Sequence, residues 1–518
     1  MSFRQDRTNP STAISNWKGR SETPKGWPST RVSTWMNGAL FGGAPKHYWI
    51  LALHVDSATT QTTGGGVDVD SDDNIYWGVT DQSGNNSTHY LIKLDTSTAL
   101  PTVTASKKTD TAGSGLGTVQ LYDNKVLWIG PKNAESATAC ITGYDKTLTT
   151  LEHGGATRRV VITSGEDESG YPDGSHIDSS GNWWWQSMDK YSYFGWHTFQ
   201  AGMFKSPWQT VNATNCPIAI KSNDQGTNRG TQISPWTANS YIAAGTVYSS
   251  TALLWGATGT SGHTGQGSNF RWSQTSSEYF SVVKTSVLTT NEGGTDYAYW
   301  WILNAHPSNQ SCYLVKLDTS GTVQWVRKLV FTSQYGAASQ GLTGYVWGVA
   351  PKPAVDPDGN IYVTCGFRMN QSWGQPVVGI AKYNSSGTIQ WCNTIAKEDD
   401  GSHTNWFNPQ RIRISEGGKA FIISINRYGN PAPSTAGAML ARLPTDGTLT
   451  SATAHSLDSG TVTYNTASYT DAAASGFSID TSYTGVSLTQ DSAATDGSGW
   501  PVASAFTSYT DEVTIDGS

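Results

Sequence analysis

The residues with the clearest chemical spacing are two acidic runs. Asp70-x-Asp72-x-Asn74 and Asp356-x-Asp358-x-Asn360 set three side-chain oxygens at alternate positions, as the first half of a calcium loop does. Neither run has Glu at the twelfth position, where such a loop places its bidentate ligand. Asp and Asn also accept backbone hydrogen bonds in tight turns. These six residues are therefore weak calcium candidates, expected to be turns without a metal. Two carboxylate clusters, Glu166-Asp167-Glu168 and Glu398-Asp399-Asp400, offer the pairing a glycosidase needs. Both lie among Gly and Ser, in the setting of solvated loops. Catalytic carboxylates need burial to separate their pKa values.

Nucleophilic chemistry finds no frame. There is no Gly-x-Ser-x-Gly elbow, no His-Glu-x-x-His and no glycine-rich phosphate loop. The ten histidines are dispersed, and His47, His54, His89 and His197 sit in strand or aromatic contexts that suit structural roles. Cys140, Cys216, Cys312, Cys365 and Cys392 are odd in number and scattered, so they give neither a disulfide framework nor a metal pair. They read as small buried hydrophobes. No catalytic residue and no cofactor are expected, and the chain is not expected to be an enzyme.

Aromatic residues stand out more. Trp183-Trp184-Trp185 and Trp300-Trp301 point successive rings to opposite faces of a strand. One ring of each pair is expected to pack inside, leaving the other for a contact surface. The run Tyr191-Ser192-Tyr193-Phe194-Gly195-Trp196-His197 follows the triplet. Trp184, Tyr191, Tyr193, Trp196 and Trp300 are thus the candidates for touching a glycan or a partner.

The elements that must carry these residues repeat. Val69-Asp-Ser-Asp-Asp-Asn-Ile-Tyr76, Ile177-Asp-Ser-Ser-Gly-Asn-Trp183 and Val355-Asp-Pro-Asp-Gly-Asn-Ile-Tyr362 each end one strand, turn and begin another. A second signature joins Tyr313-Leu-Val-Lys-Leu-Asp-Thr-Ser-Gly-Thr-Val-Gln-Trp325 with Gly379-Ile-Ala-Lys-Tyr-Asn-Ser-Ser-Gly-Thr-Ile-Gln-Trp391. One unit is four strands. Indexed on Ile75, Val126, Trp183, Tyr241, Tyr297, Ile361 and Ala420, units recur every 51 to 64 residues, slightly longer than the roughly 40–50 residues of known propeller repeats. The expected fold is all-β: a β-propeller of four-stranded antiparallel blades, seven in number with six or eight as alternatives. Residues 46–55 read as an outer strand without its own blade, expected to join the last blade near 410–456.

Composition agrees. The 518 residues carry a formal charge of −7 and only 14% charged side chains, which excludes a basic nucleic-acid binder. No run of about 18 apolar residues predicts a membrane span, and the polar first thirty residues predict no secretory signal. Three regions are expected: an N-terminal docking arm at 1–44, the propeller at 45–456 and a docking tail at 457–518. The arm has six basic and two acidic residues, whereas 443–518 has nine acidic residues and no Lys or Arg. Trp17, Trp27 and Trp35 in the arm, with Phe477, Trp500 and Phe506 in the tail, are the expected interface residues. Both ends are expected to dock on neighbouring subunits rather than on their own ring.

The unit at 355–391 resembles the SBBP-type β-propeller repeat of bacterial and phage surface proteins. The Trp35-Met-Asn-Gly-Ala-Leu-Phe-Gly-Gly43 stretch and the Ser/Thr/Ala-rich acidic tail are similar in style to virion proteins of tailed phages. That resemblance implies a virion structural protein of the tail or adhesion apparatus, assembled in the host cytoplasm with other virion proteins in many copies. A carbohydrate-binding host-recognition module and a glycan-acting propeller enzyme are the alternatives.

Overall fold

The computed structural model describes residues 47–55, 61–83, 86–98, 101–109, 118–131, 138–150, 158–162, 174–178, 180–193, 196–207, 218–222, 232–237, 240–247, 251–258, 268–276, 283–306, 309–332, 350–368, 376–397, 406–415, 417–428, 438–450, 454–457, 460–481, 488–491, 494–496, 506–508 and 513–516. Every regular element among them is a β-strand.

Strand β1 (Trp49–Val55) comes first. Sheet I then follows as β2 (Gln61–Val69), β3 (Ile75–Ser83), β4 (Asn86–Asp95) and β5 (Thr102–Thr109). Sheet II is β6 (Thr118–Tyr122), β7 (Lys125–Pro131), β8 (Thr138–Asp145) and β9 (Arg158–Ile162). Sheet III is β10 (Gly174–Ile177), β11 (Asn182–Tyr193), β12 (Trp196–Pro207) and β13 (Ile218–Ser222). Sheet IV is β14 (Gln232–Thr237), β15 (Ser240–Val247), β16 (Thr251–Thr258) and β17 (Ser268–Ser276). Sheet V is β18 (Lys284–Glu292), β19 (Thr295–His306), β20 (Asn309–Asp318) and β21 (Val323–Phe331). Sheet VI is β22 (Ala354–Val355), β23 (Ile361–Arg368), β24 (Pro376–Tyr383) and β25 (Ile389–Lys397). Sheet VII is β26 (Trp406–Ile414), β27 (Ala420–Tyr428) and β28 (Ala438–Pro444), with β1 as its fourth strand, Trp49 opposite Arg442 and Leu53 opposite Ala438. All seven indexed repeat residues fall at the start of the second strand of a sheet.

The sheets pack in succession through apolar faces. Trp49 and Leu440 of sheet VII meet Val67 and Trp77 of sheet I. Tyr76 and Leu91 of sheet I meet Val119 and Trp128 of sheet II. The Gln120 side chain of sheet II bonds both ways with the Ile177 backbone of sheet III, at 3.0 and 2.9 Å, and β14 lies against β10 and β11. Trp236 and Leu254 of sheet IV meet Val287 and Trp300 of sheet V. Trp301 and Leu314 of sheet V meet Val363 and Cys365 of sheet VI. Tyr362 and Ile380 of sheet VI meet Phe407 and Ile423 of sheet VII. The succession therefore returns to its start.

The repeated Gly-Thr-x-Gln-Trp signature has a packing cause. Trp325 of sheet V lies on the β24–β25 turn of sheet VI, its indole donating to Ser385 O at 3.1 Å. Trp391 of sheet VI lies on the turn after β28, donating to Thr445 O at 3.0 Å. Gly387 (φ 81°) and Gly447 (φ 78°) sit beneath these rings; a Cβ would come within 2.8 and 2.6 Å of them. Each Trp thus requires a glycine in the next sheet, both for the turn and for the space.

The tail corrects the expectation of docking on neighbours. Strands β29 (Ala454–Leu457) and β30 (Gly460–Thr466) extend sheet VI. Then β31 (Tyr469–Ala473) pairs with β21, β32 (Phe477–Asp480) with β17, β33 (Leu488–Asp491) with β13, β34 (Ala494–Asp496) with β9, β35 (Phe506–Ser508) with β5 and β36 (Val513–Asp516) with β1. Sheet VI thus gains two strands and each of the other six sheets gains one, with sheets VI to I met in reverse chain order and sheet VII last. The physical reason is the open edge of each fourth strand, whose amides and carbonyls need partners. The expected boundary at 456/457 consequently cuts through β29 of sheet VI.

Charge fits the pairing. The fourth strands carry Lys107, Lys108, Arg158, Arg159, Lys221, Arg271, Arg327, Lys328 and Lys397 and no acidic residue. The tail residues 443–518 carry nine acids and no cation. Arg327 chelates Asp471 of β31 through Nε and Nη2, and Tyr383 donates to the same carboxylate at 3.1 Å. Val462 and Tyr464 of β30 are buried in the core between sheets VI and VII, and Asn393 donates to the Tyr464 hydroxyl at 2.7 Å. Tyr464→Ala is therefore expected to cost about 3 kcal/mol of unfolding free energy or more, measured by denaturant titration. A loss below about 1 kcal/mol would mean that this part of the tail is a dispensable cover.

Candidate functional site

The calcium candidates form closed turns. Asp70 Oδ1 accepts from the amides of Asp72 and Asn74, both at 2.9 Å, while Oδ2 accepts from Asn74 Nδ2 at 3.0 Å and the Tyr76 hydroxyl at 3.1 Å. Asp356 repeats this with Asp358, Asn360 and Tyr362, and Lys382 Nζ adds a contact at 3.3 Å. Protein donors hold the oxygens a cation would take, and both Asn side chains turn their amide nitrogens to the carboxylate. Among the described residues, no cluster of three or more His, Cys, Asp or Glu is placed to hold a metal.

Trp184 belongs to the same motif. Asp178 accepts from the Ser180 and Asn182 amides, both at 2.9 Å, and from Trp184 Nε1 at 2.8 Å. The indole stands where Tyr76 and Tyr362 stand, six residues after the Asp. Trp184 is 2% exposed and Trp300 is fully buried, so the expectation that one ring of each pair faces outward fails for both. Every sheet has a neighbour on each face: Trp300 packs with sheet IV and Trp301 with sheet VI, where its indole donates to Thr364 O at 2.9 Å.

The backbones of Tyr191, Tyr193 and Trp196 lie in β11 and β12, Tyr193 opposite Trp196; their side chains lie outside the described residues. Phe477 stacks on Tyr313 of its own chain at 5.6 Å, so it is not an exposed docking residue. Phe506 pairs through its backbone with Thr109. Trp17, Trp27, Trp35 and Trp500 lie outside the described residues.

A hydroxyl–imidazole pair does occur, Thr80 Oγ1 and His89 Nδ1 at 2.8 Å. These residues are cross-strand partners within sheet I. Both are buried, and burial lowers the His89 pKa to about 4. The pair is a cross-strand link without access for a substrate. Cys312, Cys365 and Cys392 are buried together in one core, and burial pushes the thiols of Cys312 and Cys392 well up, which makes them inert.

The densest polar group lies where the first strands converge. Arg411 of β26 donates to Thr118 Oγ1 of β6 at 2.9 Å, skipping sheet I. Arg413 donates to Asp68 of β2 at 3.2 Å, and Asp68 also accepts from the Leu121 amide at 2.8 Å. Lys352, in the segment before β22, reaches across sheet V to Ile233 O at 3.0 Å and Ser234 Oγ at 3.2 Å on β14. Ser286 of β18 holds that segment by donating to Pro351 O at 2.9 Å. His176 of β10 feels the same charges: burial first, then Lys352, Arg413 and Arg411, depress its pKa well below the usual imidazole range. Burial, then Arg411 and Arg413, depress that of Lys352. Sequence reasoning missed all four basic residues. Two signals were present: Arg411 and Arg413 alternate on one face of a strand, and Pro351 and Pro353 fix an extended backbone around Lys352.

No family model and no curated protein matches the chain. A solved structure of a europium-containing methanol dehydrogenase is similar at 10% identity, covering 76% of this chain and 93% of its own, with a TM-score of 0.24. At that score the likeness decides neither fold nor chemistry.

The turn carboxylates set an acid limit. Burial of Asp145 would raise its pKa, but the amides of Thr149 and Thr150 and the hydroxyls of Thr147 and Thr149 outweigh it and bring the value down to about 2. Asp356 is also lowered: burial opposes, and Asn360, Tyr362 and Lys382 prevail. A carboxylate lowered on folding stabilises above its unfolded pKa, near 3.8, and loses that contribution as pH falls through the folded value. Unfolding free energy is thus expected to fall between pH 4 and about 2. Urea titrations across that range check this, with Asp145→Asn flattening part of the slope.

Proposed function

We propose that the succession of seven sheets is a seven-bladed β-propeller acting as a structural platform in a tailed-phage particle, in the tail or adhesion apparatus. The observation that carries this reading is the strand that the tail adds to each of the seven sheets. A ring whose outermost strands come from its own chain and are only three to five residues long offers little edge for growth by strand addition. Its contacts with neighbours come from other surfaces, and the basic, Trp-bearing arm at 1–44 is the segment assigned to them. The SBBP-type repeat supports the propeller, and the style of both ends supports the virion. The partners are other virion proteins, present in many copies. The glycan-binding alternative loses two of its five aromatics to burial, Trp184 and Trp300, and no observation favours it.

Two measurements test the proposal. Quantitative mass spectrometry of gradient-purified particles from an infected host is expected to find the chain at fixed stoichiometry to known tail components; its absence overturns the virion reading. Deleting residues 1–40 is expected to leave the melting temperature unchanged and to remove the chain from particles. Incorporation of that variant at normal copy number would refute the role of the arm.

A further inference from the structure

Beyond its role as a platform, we propose that the convergence of the first strands is a binding site for a small tetrahedral oxyanion, phosphate or sulfate, with Lys352 as its central ligand. Lys352 is only 5% exposed. Among the described residues its ammonium meets two neutral oxygens, Ile233 O and Ser234 Oγ, and no carboxylate. A buried ammonium with neutral partners is costly, and a bound counter-charge would hold it in its charged form.

The nearby charges add to that need. Arg411 (5% exposed) and Arg413 come from β26, and His176 comes from β10. The carboxylate among them, Asp68, is engaged by Arg413 and by the Leu121 amide. Hydrogen-bond donors approach from the segment before sheet VI, from sheet VII and, through the His176 imidazole, from sheet III. Donors arriving from several directions suit an anion with oxygens on all sides better than a planar carboxylate. Ser234, bonded to Thr289 at 2.8 Å, and Thr118 supply hydroxyls at the same convergence. No bond is made or broken; the site binds and holds.

The source of the oxyanion is either the free ion or a phosphate ester on a sugar. Isothermal titration of the full chain with inorganic phosphate, inorganic sulfate and a hexose phosphate distinguishes them, with sodium chloride at matched ionic strength as the control. Saturable binding of at least one oxyanion is expected, with none for chloride. A hexose phosphate that binds at least tenfold more tightly than inorganic phosphate identifies the ester as the source; the reverse order identifies the free ion. Lys352→Met keeps the unbranched stem up to Cε and removes the amino group, and is expected to weaken binding at least tenfold. Should that variant fail to fold, His176→Gln is read instead, with a loss of at least threefold expected. Lys352→Arg is expected to retain binding. Absence of saturable binding in the wild type, or unchanged affinity in the variant read (Lys352→Met, or His176→Gln in its place), overturns the proposal. Neither result bears on whether the chain is found in particles, so the two readings fail separately.

Discussion

A four-stranded sheet with two apolar faces cannot stand alone in water, and that constraint organises the molecule. Sheet V makes it explicit. Trp300 and Trp301 are neighbours in sequence, project from opposite faces of β19 and are both buried, one toward sheet IV and the other toward sheet VI. Full burial of an aromatic side chain is worth on the order of 2–3 kcal/mol, so either face left wet would cost several such contributions. A succession of sheets leaves two wet faces at its ends unless the last meets the first. Trp49, Leu51 and Leu440 of sheet VII against Val67 and Trp77 of sheet I meet that requirement.

Stacking satisfies the faces and leaves the edges. The fourth strand of each sheet would present unpaired backbone groups, and the tail pairs with all seven. Until the chain is complete those edges are open, and the cations on β5, β9, β13, β17, β21 and β25 are the kind of residue that discourages pairing with foreign strands. One of these cations, Arg327, then pairs with Asp471 of the acidic tail. Long-range attraction guides that approach more than it holds the product; the holding comes from ladder hydrogen bonds and from buried anchors such as Val462 and Tyr464.

Much of the architecture was legible because turn chemistry repeats. The Asp-x-x-x-Asn-x-Tyr/Trp pattern fixed the starts of second strands, since Asp70, Asp178 and Asp356 use one hydrogen-bond scheme. The Gln-Trp signature was legible as a strand, but its purpose was not, because the glycine under each ring belongs to the next sheet. The tail was misread for a related reason. Its strands are three to seven residues long, lack turn signatures of the repeat kind and pair with fourth strands 65 to 464 residues away in sequence, from Lys397–Val462 at one end to Ala52–Asp516 at the other. The acidic composition was noted, yet the matching basic residues are dispersed one or two to a sheet, so no local window reveals them. The central cations escaped for the same reason: each is unremarkable in its own strand, and only convergence makes them a group.

Closure places an unusual demand on sheet VII, which takes its fourth strand from the start of the described chain and its fifth from the end. A strand supplied from so far away must be fixed in register, because a slip by one residue would turn Trp49, Leu51 and Leu53 away from sheet I. Arg442 provides that fixation. It is opposite Trp49 in the ladder and 1% exposed. Its guanidinium donates to His47 O at 2.5 Å, just ahead of β1, and to Asp73 Oδ2 at 3.3 Å in the first turn of sheet I. Asp73 holds a positive φ of 65° where the equivalent turn of sheet VI has Gly359. One side chain therefore binds the incoming strand, its partner strand and the neighbouring sheet at once. A buried arginine is costly unless its donors are met, so the register that meets them is favoured over the slipped one, and polar contacts add specificity to the apolar packing of the seam.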